Sequence, residues 1–377
     1  MKNTKKVISA ICIVLSILFV LCGCNRTVAC SWALVELDED VSVHTSAQSE
    51  YLAGDYRKIS NYAKGTQELS RPNALQLSWS AEPKEQVAIS DYVVEIQDVD
   101  NLYNPLIYDT TQTSVDVYNL CIGTMYMWRV TARFADGRKG VSNWGYFYTD
   151  DVAPRNLYVD GITNVRDLGG WATLEGGRVR QGMIYRCGRL NQSETTDVVI
   201  EITQDGIDVM RNVLGIRTEV DLRTPNNHNT ETGGITSSPL GEDVNYVNCP
   251  LEWDSGNYLT NNLESVRQFF SLASNVNNYP FIFHCNIGTD RTGMFAFLIN
   301  GLLGVDEQDL YRDYLFSNFG DIKGNARSIS NIQNNYLATI NKYSGSTLSE
   351  RIENCLVELV GVPQSQIDAI KTILLEY

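Results

Sequence analysis

One stretch of ten residues, 284–293, constrains the fold of this 377-residue chain more than any other. It reads HCNIGTDRTG and stands between two apolar runs, 281–283 and 294–299. The first run is short and aromatic and follows Asn-Asn-Tyr-Pro, which is typical of a buried strand. The second run continues to a stop at Gly304, which is typical of a buried helix. The stretch is therefore predicted to turn tightly from a strand into a helix.

This turn is expected to form an anion cradle, because its backbone N–H groups and those of the first helical turn lack intrahelical partners. Cys285 stands at the mouth of the cradle, where positive potential favours the thiolate over the thiol. Arg291 follows after five residues, and its planar fork of donors suits two phosphate oxygens. Thr292 comes next, and its hydroxyl is expected to hydrogen-bond the Cys285 sulfur. These parts predict a thiolate nucleophile that attacks a phosphoester.

The pattern Cys-x5-Arg-Thr-Gly, with His before the cysteine, resembles the signature loop of the protein tyrosine phosphatases. More narrowly, it is similar to the HCxxGKDRTG loop of a bacterial family of tyrosine and lipid phosphatases, with Thr289 in place of the family's Lys. The resemblance implies catalysis by Cys285 and Arg291 without a cofactor or a metal. It implies a phosphorylated protein or lipid as substrate, and the missing Lys weighs against a phosphoinositide. The residues implied to bind the substrate are Asn286, Ile287, Gly288, Thr289 and Thr292.

Further segments carry the same resemblance over residues 155–377. Residues 164–170, NVRDLGG, resemble the family's NxRDLGG element, and Arg166 with Asp167 is expected to form a buried structural pair. Residues 182–190 resemble the next segment, with Cys187 in the usual Ser position. Residues 311–318 resemble its DYLLSN helix. The resemblance implies an α/β domain with a central, mostly parallel sheet flanked by helices.

Dephosphorylation also needs a general acid, because an unprotonated alkoxide or phenolate is a poor leaving group. Asp221 ends a predicted strand, 219–222, and matches the family's DLR aspartate, to which acid duty is often assigned. Because ligands bind beyond the carboxyl ends of strands in α/β sheets, Asp221 and Arg223 are expected to face the substrate. Asp290 lies inside the loop and matches the family's second candidate. Asp254, in a loop after a strand, is the third, and the sequence leaves the choice open.

Residues 69–150 have a different pattern, with short alternating segments and Asp-Gly or Gly-Thr turns between them. The segments are 74–79, 92–96, 114–120, 126–132 and 145–149. Regular strands of this kind predict an all-β sandwich. Their order resembles a fibronectin type III domain, in which Trp79 would fill the core and Tyr126 would be the corner tyrosine. Nothing in it indicates catalysis, so a spacer or a module that binds a protein or glycan is expected.

The N-terminal 24 residues are predicted to be a targeting segment. Lys2, Lys5 and Lys6 precede an apolar stretch, 7–20, as in signal peptides. The following Leu-Cys-Gly-Cys resembles a bacterial lipobox, which implies lipidation at Cys24 and a lipoprotein at the membrane; an uncleaved membrane anchor is the alternative. Both interpretations place the rest of the chain outside the cytoplasmic membrane. Residues 25–68 are polar and weakly patterned, and they are predicted to be a tether.

Charge and cysteine content exclude other classes of protein. A net charge of −15 argues against nucleic-acid binding, which needs a basic face. The chain has three His and nine Cys without metal-ligand spacing, so no zinc site is predicted. An exported chain is able to form disulfides, but one at Cys285 would abolish the proposed chemistry. Cys285 is therefore predicted to be free.

Two other functions remain open from the sequence. One is a catalytically inactive surface receptor whose phosphatase domain only binds phosphate; the intact Cys285, Asp290 and Arg291 weigh against it. The other is a rhodanese-like sulfurtransferase, which also uses a cysteine in an anion-binding loop. The histidine before Cys285 and the Arg-Thr-Gly ending disfavour that second function.

Overall fold

A computed structural model describes residues 27–37, 40–63, 70–193, 199–225, 231–252, 258–320 and 326–377. It forms two compact units. The smaller comprises the described part of residues 1–38 with 76–116 and 125–147, and the larger comprises 39–75, 117–124 and 148–377. The predicted targeting segment, the lipidation site at Cys24 and the third acid candidate, Asp254, lie outside the described residues. Within the described ranges, no helix is both long and apolar enough to cross a membrane.

The smaller unit is the predicted β-sandwich. Trp79 and Tyr126 are 4% and 6% exposed and lie in its core, as predicted. One described sheet has the order β1-β2-β5, and the other has the order β4-β3-β6-β7 with β8 beside β6. The strands are β1 Cys30–Leu34, β2 Leu75–Pro83, β3 Ile89–Asp98, β4 Leu106–Thr110, β5 Ser114–Val117, β6 Met125–Phe134, β7 Lys139–Val141 and β8 Gly145–Tyr148.

The predicted tether, 25–68, contains regular structure that its weak pattern did not indicate. β1 pairs antiparallel with β2 and extends a sheet of the sandwich. Helix α1, Ser46–Ala53, begins with a capping box between Thr45 and Gln48. Tyr51 of this helix is fully buried, and its hydroxyl donates to the carbonyl of Arg312 at 3.2 Å. The described part of this segment therefore packs on folded structure, because contacts distant in sequence supply its partners.

The larger unit is built on a sheet with the described order β13-β12-β14-β11-β9. β14 is central, and its first residue, Phe281, pairs in parallel with Thr218 on one side and Ile184 on the other. Every residue of β14 is buried, which explains the apolar run 281–283 before His284. The strands of this unit are β9 Arg166–Asp167, β10 Arg178–Val179, β11 Ile184–Cys187, β12 Thr218–Asp221, β13 Asn245–Asn248, β14 Phe281–His284 and β15 Leu375–Glu376.

Helices flank this sheet. One of them, α5 (Asp290–Leu302), begins within the 284–293 stretch. Every residue of α5 is buried, so it is the central helix of the unit. The remaining helices of the described ranges are α2 Gln204–Asp208, α3 Tyr258–Asn261, α4 Leu263–Ala273, α5 Asp290–Leu302, α6 Glu307–Phe316, α7 Ile329–Ile332, α8 Ala338–Ile340, α9 Leu348–Cys355 and α10 Gln364–Leu374. Single 3₁₀ or π segments occupy Tyr56–Asn61, Val209–Val213, Val276–Asn278, Ser317–Phe319, Gln333–Leu337 and Leu356–Val360.

The prediction that Arg166 and Asp167 pair with each other is wrong, because each is bound to a different residue. Asp167 binds Arg155 at 3.0 Å, whereas Arg166 donates to Asp313 of α6 at 2.7 Å. Asp313 also accepts from Arg186 at 2.7 Å. Neighbouring residues of a strand point to opposite faces of the sheet, so adjacent charges find different partners. Burial and the nearby Arg186 lower the pKa of Arg166 to about 10.

We expect Asp313→Ala to destabilise the protein by about 3–5 kcal/mol, because it leaves the buried guanidinium groups of Arg166 and Arg186 without their carboxylate. Urea unfolding measures the loss. Asp243→Ala is the control, since Asp243 is 69% exposed in its pair with Arg211. An equal, small loss of unfolding free energy in both variants would contradict the role of Asp313 as the carboxylate that pairs with both arginines.

The loss of stability caused by Asp313→Ala is expected to depend on pH. Burial alone would raise the pKa of Asp313, but Arg166 and Arg186 lower it below its ordinary value. Its contribution to stability is therefore present above the ordinary carboxyl pKa and is lost as the pH falls through the lowered pKa. The difference between wild type and Asp313→Ala is expected to shrink in acid.

Candidate active site

Side chains outside the turn between β14 and α5 donate hydrogen bonds to the backbone carbonyl groups of the turn and fix its conformation. The side-chain amide of Asn164 donates to the carbonyl oxygens of Ile287 and Gly288 at 3.2 and 3.1 Å. Arg186 donates to the Gly288 carbonyl at 2.7 Å. Because C=O and N–H point in opposite directions across a trans peptide, these bonds turn the following N–H groups toward the centre of the loop. The predicted anion cradle is therefore formed by backbone that buried side chains orient.

Asn286 is fixed in the same way. Its carbonyl accepts from the backbone N–H of Arg189 at 3.2 Å, and its side-chain oxygen accepts from the Arg189 guanidinium at 2.8 Å. The predicted contact of this side chain with substrate is therefore replaced by a structural bond. The peptide N–H groups of 287–289 and the first turn of α5 remain as the donors that face an anion.

Gly288 is the position at which the loop tolerates no side chain. Its φ of +73° lies in the left-handed region. A Cβ there would lie 2.4 Å from the carbonyl oxygen of Cys187 on β11. The loop therefore lies directly on the neighbouring strand, and the lack of a side chain at 288 allows this close approach. The predicted contact of Gly288 with substrate stays a prediction.

Cys285 and Arg291 meet at this loop, as predicted from their spacing. Cys285 is a free cysteine, 3% exposed, which confirms that prediction. Arg291 is 4% exposed, and its two terminal nitrogens donate to the carboxylate of Glu231 at 2.7 and 2.9 Å. Burial alone would lower the pKa of Arg291, but the negative charges of Cys285 and Glu231 raise it above its ordinary value. The guanidinium thus stays charged beside the sulfur.

Two polar side-chain atoms in the first turn of α5 have no hydrogen-bond partner within the described ranges. They are Nε of Arg291 and the hydroxyl oxygen of Thr292, and both are buried. The Thr292 hydroxyl makes no hydrogen bond to the Cys285 sulfur within the described ranges, so its expected role when the sulfur leaves stays a prediction. A buried donor without an acceptor is costly.

The residue before the cysteine, His284, makes two polar contacts through its ring. Its Nε2 lies 2.9 Å from a carboxylate oxygen of Glu219, and its Nδ1 lies 3.3 Å from the carbonyl oxygen of Cys285. Glu219, Asp221 and His284 are the group among the described residues whose ligand atoms lie close enough to hold a cation, within 4.8 Å. Glu219 is already bonded to His284 and Asp221 to Arg223, so a metal would have to replace these bonds. The absence of a metal stays a prediction.

Asp221 and Arg223 do not face the substrate as expected. Both are fully buried, and the carboxylate of Asp221 accepts from two nitrogens of Arg223, at 2.9 and 2.7 Å. The remaining donors of Arg223 bind Asn191 and the carbonyl of Glu231. Burial alone would raise the pKa of Asp221, but His284 and Arg223 lower it below its ordinary value. An aspartate held as an anion is a poor proton donor, so this pair is corrected to a structural role.

Asp290 lies at the start of α5, where its carboxylate is buried under other side chains. The hydroxyl of Tyr314 donates to Oδ1 at 3.0 Å, and the fork of Arg327 donates to both oxygens at 2.7 Å. Thr289, which precedes it, is fully buried, and its hydroxyl makes only a long bond of 3.5 Å to the Ile287 carbonyl. Arg327 therefore brings a cation to the loop from a different segment, although the Lys of the related loops is missing at 289.

Sequence reasoning missed the residues that support the loop. Asn164, Arg186 and Arg189 belong to segments whose resemblance was recognised, and the motif could have indicated a role for them. Glu231 gave no such signal, because it follows the site strand in an irregular segment. Burial alone would raise the pKa of the Glu231 carboxyl, but Arg291 and Thr224 lower it, so it is an anion that holds Arg291 in place.

We expect Gly288→Ala to abolish binding of inorganic phosphate by the loop and to lower the melting temperature, because the new Cβ collides with the β11 backbone. Gly176→Ala is the matched control: Gly176 also has a positive φ, +84°, but a Cβ there meets nothing within 4 Å. It should lose only about 1–2 kcal/mol of stability and retain phosphate binding. Calorimetric titration with phosphate and thermal unfolding measure both effects. Equal behaviour of the two variants would contradict the close approach.

Known families match both units. The tyrosine phosphatase family matches residues 157–376, more than half of the chain, and the fibronectin type III domain matches residues 67–147. A protein of Cupriavidus necator, whose name gives it as a candidate tyrosine-protein phosphatase, is 30% identical over 184 residues. That similarity covers 43% of this chain and 63% of the relative, so the chain spans less than two thirds of the relative's length.

Solved structures are similar to each part of the chain. The core catalytic domain of a PP-IP phosphatase from S. cerevisiae is 13% identical, with a TM-score of 0.31, over 59% of this chain and 99% of that one. The sixth fibronectin type III domain of human fibronectin type III domain containing protein 3 is 22% identical, with a TM-score of 0.19, over 21% of this chain and 73% of that one. The family matches and the described sheets and helices confirm the predicted fold class. The chain belongs to the tyrosine phosphatase family and carries a fibronectin type III domain before its phosphatase domain.

Proposed function

We propose that the protein hydrolyses phosphotyrosine through a cysteinyl-phosphate intermediate. The observation that carries this proposal is that one loop holds the Cys285 sulfur, backbone whose carbonyl groups are bound from outside, and Nε of Arg291, for which the described residues supply no acceptor. A phosphate dianion supplies the acceptors that these donors lack. A thiolate in the same loop is then positioned as the nucleophile.

In the first step, the Cys285 sulfur attacks phosphorus opposite the ester oxygen. The S–P bond forms as the P–O bond breaks. The N–H groups of 287–289 and Arg291 stabilise the charge on the remaining phosphate oxygens, and they need no reorganisation during the reaction. Glu231 holds two nitrogens of Arg291, so the guanidinium is already oriented before substrate binds.

We assign the proton for the leaving oxygen to Asp290. Of the acid candidates that the structure describes, Asp221 has its carboxylate committed to Arg223. Asp290 is the first residue after the loop, and its Oδ2 accepts from Arg327 while Oδ1 accepts from two donors. Asp290 is also paired with Arg327, so that pair has to open before Oδ2 takes up the proton that it delivers to the substrate. Its place directly after the loop favours Asp290 over Asp221, which is fully buried beneath the site.

In the second step, water attacks phosphorus and gives a proton to the Asp290 carboxylate, and the S–P bond breaks. The departing sulfur becomes a thiolate again and needs a hydrogen bond in place of its bond to phosphorus. The buried hydroxyl of Thr292, which has no partner within the described ranges, is available for that role. The cycle ends with free phosphate and Cys285 restored.

A phosphotyrosine substrate is favoured over a phosphoinositide by the residues at the loop. A lipid headgroup with further phosphates needs additional cations near the site. Thr289 supplies none, and the charge of Arg327 is paired with Asp290. The Cupriavidus necator relative, whose name refers to tyrosine phosphatase activity, supports the same choice.

We expect Cys285→Ser to abolish hydrolysis of p-nitrophenyl phosphate and of a phosphotyrosine peptide, while still binding phosphate, because the cradle remains but the nucleophile is lost. Cys30→Ser, in the sandwich, is the control and should retain full activity. Release of nitrophenol and phosphate measures both. Activity that survives Cys285→Ser would refute the nucleophile, and an inactive wild type that binds phosphate would support the receptor alternative.

The acid is tested by comparing substrates with different leaving groups. We expect Asp290→Asn to slow an alkyl phosphate about 10²–10⁴-fold and to slow p-nitrophenyl phosphate far less, because nitrophenolate leaves without a proton. Asp254→Asn is the comparison, and it should affect both substrates alike. The reverse pattern would move the assignment to Asp254.

A further inference from the structure

Tyr314 of helix α6 contacts the carboxylate to which the proposed function assigns the acid role. Its hydroxyl donates to Oδ1 of Asp290 at 3.0 Å. Tyr314 is 1% exposed, and burial together with the charge of Asp290 raises the pKa of its hydroxyl well above the ordinary value. The hydroxyl therefore keeps its proton and remains a donor to the carboxylate.

The ring of Tyr314 is held by its neighbours. A Cβ added at Gly293 would lie 2.7 Å from this ring, so the ring packs directly on the first turn of α5. The ring also makes an edge-to-face contact with Tyr336, with 6.0 Å between the ring centroids. The preceding residue of α6, Asp313, is bound to two buried arginines. These contacts fix the position of the Tyr314 hydroxyl relative to the catalytic loop.

Arg327 is the other side chain that binds this carboxylate, and it is the more exposed of the two. Its Nε and Nη2 donate to Oδ1 and Oδ2 of Asp290 at 2.7 Å, and its side chain is 15% exposed. This pair has to open before Oδ2 takes up a proton, because a guanidinium only donates. The bond from Tyr314 goes to Oδ1, so it persists when Oδ2 is protonated. Tyr314 therefore still orients the carboxyl group after Arg327 has moved away.

We propose that Tyr314 is the positioning residue of the general acid: it holds Oδ1 of Asp290 so that Oδ2 is presented to the leaving oxygen of the substrate. The proton that moves is the one on Oδ2, and the Tyr314 proton stays on its own oxygen. A carboxyl group held in one orientation transfers its proton more often than one that rotates. This inference rests on the proposed function, because it requires Asp290 to be the acid.

Tyr314→Phe in the full chain tests the inference, because it keeps the ring against Gly293 and removes only the hydroxyl. We expect kcat/KM for an alkyl phosphate to fall about 10–100-fold, and kcat/KM for p-nitrophenyl phosphate to change little. This ratio reports the steps up to departure of the leaving group, and nitrophenolate departs without a proton. Binding of inorganic phosphate, measured by calorimetric titration, should be unchanged because the loop is intact.

Tyr336→Phe is the matched control. The Tyr336 hydroxyl donates to the backbone carbonyl of Asp290 at 2.7 Å rather than to its carboxylate, and Tyr336 is also fully buried. Its loss should lower the melting temperature at least as much as Tyr314→Phe does, but it should affect both substrates alike. Selective slowing of the alkyl phosphate by Tyr336→Phe, or equal slowing of both substrates by Tyr314→Phe, would overturn the positioning role.

A double variant that combines Asp290→Asn with Tyr314→Phe separates this inference from the proposed function. It should be no slower on the alkyl phosphate than Asp290→Asn alone, because Tyr314 then has no acid to position. Additive losses would overturn the inference. A slow Asp290→Asn beside a fully active Tyr314→Phe would overturn it too, while the proposed function stands. If Asp290→Asn alone leaves the alkyl phosphate rate unchanged, the acid assignment and the positioning role both fall, and Cys285→Ser still tests the nucleophile.

Discussion

The geometry of the catalytic loop depends on where its carbonyl groups point. Asn164 and Arg186 bind the carbonyl oxygens of residues 287 and 288 from outside, and this turns the intervening N–H groups inward. Arg186 is itself fixed by Asp313 of α6. An anion site made of backbone is therefore held by a buried salt-bridge network that never touches the anion.

Buried charge has three separate roles around this loop. Asp313 neutralises two guanidinium groups that support the backbone. Asp221 binds Arg223 within the layer beneath the site. Glu231 binds Arg291 and leaves one nitrogen, Nε, for a ligand. Removal of one partner from such a pair is costly, so each pair fixes a position more firmly than a neutral hydrogen bond would.

Prediction from sequence succeeded where the signal was local. The strand and helix around 284–293 and the core position of Trp79 followed from apolar runs or alternation over a few residues, and the free Cys285 followed from the chemistry expected of the loop. Prediction failed where the partner was distant in sequence. Arg166 binds Asp313, 147 residues away, and the supposed tether contains β1 and α1, whose partners lie elsewhere in the chain. Export and anchorage at Cys24 stay predictions.

The sequence by itself determined which chemistry the chain is built for, because Cys, Arg, Thr and the glycines of the loop stand at a spacing that one tight turn brings together. Only the tertiary structure decided which acidic groups remain available to it. Asp221 and Asp290 look alike along the chain, and each is paired with an arginine, but Asp221 is fully buried within the sheet whereas Asp290 lies at the start of α5. The availability of a carboxylate depends on its neighbours in space, and those neighbours come from several segments that folding alone assembles.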